Sequence, residues 1–401
     1  MAFPTVRRRA ATFIVPALLI GVSTLPAAAF EPTGNTIADA YLDVLESGRA
    51  KVVSIGSVET TAQVIALKNI EMETTGLKSG TVAIAITELV NGSLNKDGRL
   101  KVDLLTVEGL EATSGKNGTV HVSTAVAENI TLPSPAQLKG PTGDVKDDYW
   151  QFLFDQLDVQ GIRLSGNGAS PIDVQQIRLR QSDIQNGVSL KSEVSVAGLN
   201  IPADSLGPKG SKQLTDLGYD SLQVSAEVNG AWEPLTGKLN IDNSTVMFKD
   251  MGDVSVSLTL GGFTKEIMAK LQAADDATEP EEVLGLLQSL TFEKAELRID
   301  NEGLYARALE TQGEKYGMDS KTMEMQMSLA LPLLLGQLQD EAFRTQVNDA
   351  LAAFIANPRA LTLAANPTTI PTFGLLAGAG ILAPQSLPGV LGLTVDANLA
   401  K

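Results

Sequence analysis

From Lys51 to about Pro141 apolar residues recur with a period of two, and this alternation constrains the chain more than any other feature. Val82, Ile84 and Ile86 alternate with Ala83, Ala85 and Thr87, and Leu100, Val102 and Leu104 alternate with Lys101 and Asp103. Asn91-Gly92, Asp97-Gly98 and Asn117-Gly118 separate the runs. Both residues of such a pair tolerate positive φ, so each predicts a hairpin turn and the region reads as an antiparallel meander. The pattern resumes at Val159 and runs to about Gly262, as in Leu222, Val224, Ala226 and Val228, with Asn229-Gly230 read as the next turn.

A short element recurs through these strands: Leu67-Lys68-Asn69-Ile70, Val107-Glu108-Gly109-Leu110, Val159-Gln160-Gly161-Ile162 and Val196-Ala197-Gly198-Leu199. Its spacing is too irregular for a solenoid. A Gly or Asn at that position predicts a bulge or bend that re-aims the strand.

Other segments read as helical. Asn35 or Thr36 can cap a helix with Ile37, Tyr41, Leu42 and Leu45 on one face. Asp144 to Leu157, with Trp150, Phe152, Leu153 and Phe154, reads as a short apolar helix plugging one end of a sheet. Thr264 to Leu290 reads as a helix broken at Asp275 to Pro280, followed by a strand over Ala295–Ile299 and a helix over Leu304–Gly313. Ser320 to Asn357 reads as helical and divided near Pro332 and Gly336, although strict alternation over Met323–Leu331 leaves a strand open. Residues 360 to 395 carry no charge, and five prolines from Pro358 to Pro388 exclude a membrane span there. This segment is either core, the expected case, or an apolar surface for lipid or a partner. On the second reading Phe373, Leu375, Leu376, Ile381 and Leu382 are the candidate ligand-binding residues.

The N-terminus predicts export. Arg7, Arg8 and Arg9 precede an uncharged apolar run from Ala10 to Leu25, and Ala27 and Ala29 occupy the positions of an A-x-A cleavage site. Removal of residues 1–29 is expected, because the run contains Pro16 and is shorter than the roughly 20 residues a retained anchor needs. Periplasmic or other exported localisation follows, with no transmembrane span left after removal. The chain has no Cys, so it carries neither disulfides nor a lipid-modified cysteine. Its net charge of −16 argues against nucleic acid and against docking on anionic headgroups.

No residue pattern predicts catalysis, a cofactor or a metal. His121 is the single histidine and sits at an alternating strand position. Ser320-Lys321 and Ser189-Leu190-Lys191 have no supporting motif. Asp144 with Asp147 and Asp148, Asp216 with Asp220, and Asp242 with Asn243 lack the ordered spacing of a calcium loop and read as solvated turns. Gly261-Gly262-Phe263-Thr264-Lys265 has the wrong spacing for a phosphate loop.

The passage from Gly230-Ala231-Trp232 to Gly261, including GKLNIDNSTVMFKDMGDVSVSLTLGG, resembles the β-meanders of AsmA-like and YdgA-like bacterial envelope proteins. It also resembles uncharacterised periplasmic proteins of alphaproteobacteria. FIANPRALTLAANPTTIP and APQSLPGVLGLTVDAN are similar to the ends of that second group. The resemblance implies an envelope role, with lipid handling along a curved sheet, and brings no catalytic residues.

The expected architecture is a β-rich α+β fold: a long curved, mainly antiparallel sheet with helices on one face and a helical C-terminal segment. Its division is 1–29 as signal, 30–318 as a β-rich domain, and 319–401 as a Pro/Gly-broken apolar segment packing on the sheet. The leading functional expectation is a non-catalytic periplasmic protein binding a lipid or other hydrophobic ligand. A structural or interaction protein of the envelope comes second, and a hydrolase with an unrecognised site third.

Overall fold

The computed structural model describes residues 30–47, 50–74, 80–114, 118–135, 152–166, 168–185, 188–273, 280–336 and 338–400. The expected leader 1–29, Asn117, and the Asp144–Gln151 part of the expected aromatic helix lie outside them.

Helix α1 (Thr36–Ser47) comes first. Strands β1 (Ala50–Thr60), β2 (Val64–Thr74), β3 (Gly80–Val90), β4 (Ser93–Leu94), β5 (Leu100–Thr113), β6 (Thr119–Leu132), β7 (Gln156–Gly166), β8 (Ala169–Gln185) and β9 (Val188–Pro202) follow. Helix α2 (Gly207–Asp216) precedes β10 (Ser221–Glu233), β11 (Lys238–Phe248) and β12 (Gly252–Gly261). Helices α3 (Lys265–Ala273) and α4 (Pro280–Ser289) lead to β13 (Thr291–Asn301). The chain ends through α5 (Leu304–Tyr316), α6 (Ser320–Leu335), α7 (Glu341–Ala356), β14 (Ala360–Ala365), α8 (Phe373–Leu382), α9 (Leu387–Leu391) and β15 (Leu393–Ala397). The strands form one 15-stranded antiparallel sheet in chain order, with β4 off the path against β5. The β-rich α+β class expected from the alternation is therefore the fold. The chain divides into two compact units, one of residues up to Gln181 with Gln185–Ser189, the other of Ser182–Ile184 with Leu190–Lys401.

In the first unit the recurring Gly/Asn element has a clear structural meaning. Asn69, Gly109 and Gly161 have φ of 54°, 61° and 64°, in the left-handed region that glycine and asparagine reach at least cost. They lie in one row across the sheet, because Gly109 falls opposite Ala85 and Ser123, and Gly161 also falls opposite Ser123. At this row the in–out alternation resets. In β5 the buried residues are Leu100, Val102, Leu105, Val107 and Leu110, so intervals of two and three alternate. Their partners in β6 are Leu132, Ile130, Ala127, Ala125 and Val122, all buried as well. One left-handed residue in one of the two paired strands, Gly109 or Asn129 (φ 50°), accompanies each interval of three. A plain period of two from Leu100 would have turned Leu105 and Val107, with their partners Ala127 and Ala125, to solvent.

Helix α1 covers part of this apolar face. Asn35 caps it, its Oδ1 accepting from the N–H groups of Ile37 (3.0 Å) and Ala38 (3.2 Å). Tyr41, Leu42 and Leu45 are buried against the sheet, while Ile37 is half-buried. Burial pushes the Tyr41 phenol up to about 12, the neighbouring Thr87 hydroxyl acting in the other direction. Phe152 to Leu157 is not helical: Leu153 pairs with Thr131 and Leu157 belongs to β7. Backbone pairing to β6 supplies the hydrogen bonds a helix would have made internally.

The outward side of β7 carries one buried charge. Asp158 Oδ2 accepts from Gln176 Nε2 (2.6 Å) and from Arg178 Nε (3.0 Å) and Nη2 (2.9 Å), and Oδ1 accepts from Gln160 Nε2 (3.0 Å). Burial alone would raise its pKa, but these four bonds favour the ionised form and hold the carboxyl below its ordinary value of 3.8. The charge-assisted contribution is complete above the ordinary carboxylate range and is lost as pH falls through the lowered folded value. Asp158→Ala is therefore expected to destabilise by about 1.5–3 kcal/mol at pH 7. Denaturant titrations at pH 7 and at pH 3 check this, the difference from wild type shrinking at the lower pH.

In the second unit β10 differs from the sequence expectation. Asn229-Gly230 is no turn; both residues pair with β9 on one side and β11 on the other. The chain turns at residues 234–237 instead, where Gly237 has φ 72°. A central strand's ladder on both edges outweighs the local turn preference of the pair. The expected helices over α3–α5 and α7 are present, and Met323–Leu331 is helical within α6, which runs through Pro332. Residues 360–395 are not all core and not all helical. Ala360–Ala365 and Leu393–Ala397 are strands of the sheet, whereas α8 has no buried residue.

Candidate apolar site

The second unit's sheet has one aliphatic and one polar face. Directly paired residues share a face, and a single row from β9 to β15 reads Val196, Ala226, Val246, Val254, Ile299, Leu361, Ala397. Beside it runs Val256, Leu297, Leu363, Val395, and then Ile241, Leu258, Ala295, Ala365, Leu393. Each of these residues except Ala365 is half-buried or exposed. The opposite face presents Thr245, Ser255, Arg298, Thr362 and Asp396 in register.

Burial is inverted in β13 and β14 of this sheet. Val228, Val256, Ile299 and Leu363, all apolar, are 36–44% exposed. Thr362, next to Leu363, is buried, and so is most of the Arg298 side chain next to Ile299. Arg298 is held by a bidentate pair to Asp300 (Nη2–Oδ1 2.8 Å) and donates to the Leu399 carbonyl (2.9 Å). Helix α7 packs along β14 and β15. The hydrophobic effect alone would cover the aliphatic side first.

The five residues expected from sequence all lie on α8. Its base is tied to the sheet: Thr372 pairs with Thr291, the Phe292 N–H donates to the Pro371 carbonyl (3.0 Å), and the Phe373 N–H donates to the Leu290 carbonyl (2.9 Å). Thr372 Oγ1 caps the helix by accepting from the Leu375 N–H (3.2 Å). Gly374 lets α8 approach α4 closely, since a Cβ there would stand 3.3 Å from the Gln288 carbonyl oxygen. Phe373 and Leu376 are half-buried, whereas Leu375, Ile381 and Leu382 are exposed. Phe292 pairs with Leu260 on the aliphatic face, so the base of α8 adjoins that face. The sequence reading missed the sheet residues, because alternating Val and Ser in β12 is equally compatible with a covered and an uncovered aliphatic side.

A small cleft of about 230 Å³ lies where α6 and α8 end, lined by Leu338, Gln339, Asp340, Phe343, Pro384, Gln385 and Pro388. It is smaller than the roughly 300–1,000 Å³ of pockets that enclose a small molecule. Asp340 there caps α7, its Oδ1 accepting from the Phe343 N–H (3.0 Å). His121 is exposed between Glu111 and Arg163 on neighbouring strands, and Ser320 and Lys321 are exposed in the first turn of α6. Among the described residues no group of three His, Asp or Glu side chains is placed to hold a metal ion. Among them, too, no helix is long and apolar enough to cross a membrane.

A family model described as an uncharacterized protein matches residues 245–398, which begin inside β11 and include α3 to α9 and β12 to β15. Comparison with curated proteins gives no match.

Proposed function

We propose that this is an exported, non-catalytic envelope protein that binds a lipid acyl chain along the aliphatic face of β9–β15, with α8 flanking that surface. The observation that carries the reading is the inverted burial at Arg298/Ile299 and Thr362/Leu363. A flexible hydrocarbon needs an extended apolar surface and no directed polar partners, which fits the three aliphatic rows. A chain covering roughly 300 Å² of apolar surface gains about 7 kcal/mol before the costs of binding.

Native mass spectrometry with lipid extraction, on protein purified from the exported fraction, tests the reading. A co-purifying lipid is expected. It should be lost in Val256→Asp/Ile299→Asp, whose positions are exposed enough to accept a carboxylate without unfolding, as circular dichroism would check. Leu375→Asp/Leu376→Asp should weaken retention as well. A clean apo mass under every extraction condition would sink the proposal.

A further inference from the structure

We infer that α8 is a lid that closes over an acyl chain lying on the aliphatic rows of β9–β15. The lid rests on the acyl-chain reading and supplies the moving part of that site.

An open sheet face covers one side of a hydrocarbon and leaves the other in water, so a second apolar layer is needed to enclose it. Helix α8 has the composition of such a layer. Its sequence, FGLLAGAGIL, has no polar side chain, and Leu375, Ile381 and Leu382 are 54%, 81% and 85% exposed. Tethering selects it over any separate molecule. Thr372 is paired to Thr291 on β13, and after α9 the chain returns at Leu393, which shares a row with Ala365, Ala295 and Leu258. Both ends of the segment are thus anchored on strands that carry the aliphatic face, which holds α8 beside it at a high effective concentration.

The glycines of α8 point to a second position of the helix. Glycine is, after proline, the poorest helix former, and it serves where a backbone must approach a neighbour closely. Gly374 meets that condition in this structure, against Gln288 of α4. Gly378 and Gly380 do not. A Cβ at Gly378 would have no heavy atom within 4 Å, and one at Gly380 would meet only Leu387 Cδ1 at 3.9 Å. Gly378 lies between Leu375 and Leu382 on one side of the helix, so closure there would seat a chain between two leucines. Movement is cheap at this place. No residue of α8, of the turn Pro384–Ser386 or of α9 is buried, so pivoting about the Thr372 anchor breaks few packed contacts.

Spin labels test this, on Gln223→Cys in β10 and Gln385→Cys just beyond α8, in a chain with no cysteine of its own. Both positions are exposed, and neither lies on the aliphatic rows. Adding palmitate to delipidated protein should shift the distance distribution between the labels and narrow it. Gly378→Leu favours the helix but puts bulk on the closing side. It should keep or raise the wild-type unfolding midpoint, lower palmitate affinity at least tenfold and leave the labels unmoved. Gly378→Ala should lie between the two. Palmitate bound with unmoved labels, or bound by Gly378→Leu as tightly as by wild type, overturns the lid and leaves the acyl-chain reading standing. A wild type that binds no palmitate overturns both. A shift that follows protein concentration instead of palmitate also overturns the lid, since a second copy would then be what covers α8.

Discussion

Gly161→Ala is expected to destabilise the first unit by about 2–5 kcal/mol. Gly161 has φ 64°, and an L-residue held there costs about 1–2 kcal/mol. The added Cβ would also overlap Ser123 Oγ and stand 2.7 Å from Ser123 Cβ, so β6 would have to move, at a further cost of about 1–3 kcal/mol. Urea unfolding should show a lower midpoint at unchanged slope. Ser123→Gly in the same chain removes the overlap and leaves the backbone term, so the double variant should recover about half of the loss. Full additivity of the two substitutions would show that the row does not transmit strain between β6 and β7.

Leu42→Ala is expected to cost about 2–5 kcal/mol, because Leu42 is fully buried between α1 and the sheet. A 12-residue helix is marginal on its own, so its order depends on this packed face. The Tyr41 phenol supplies an independent readout. It is pushed up to about 12 by burial, and loosening of α1 should bring it back toward its ordinary 10 in an ultraviolet titration. Because the folded value is the higher one, this contribution is present below pH 10 and is lost as pH rises through 10 toward 12. The variant should lose that alkaline sensitivity along with stability. An unchanged phenol titration beside a large loss of stability would place Leu42's contribution elsewhere than in holding α1 down.

Much of the β architecture was legible because its signals are local. Alternation, the Asp97-Gly98 turn and the Gly/Asn element depend on φ preferences and on which side of a strand a side chain takes, and neighbouring residues set both. Asn35 as a cap and the helical face of α1 were legible for the same reason. The signals misled where a second strand intervened. Asn229-Gly230 has the composition of a turn, yet pairing on both edges of β10 keeps it extended. Leu153 and Leu157 have helical spacing, yet β6 recruits them.

The candidate surface shows the same division. Absence of charge from 360 to 395 marked the segment as unusual, and the α8 residues were named from it, but burial is a property of what stands opposite. The sequence alone determined a β-rich chain with left-handed residues at set positions, an aliphatic side to most strands and charge-free helices near the C-terminus. Only the tertiary structure decided that the aliphatic side of β9–β15 stays half open while Thr362 and Arg298 are enclosed. Alternation assigns residues to two faces of a strand, and the packing of elements distant in sequence decides which face meets water.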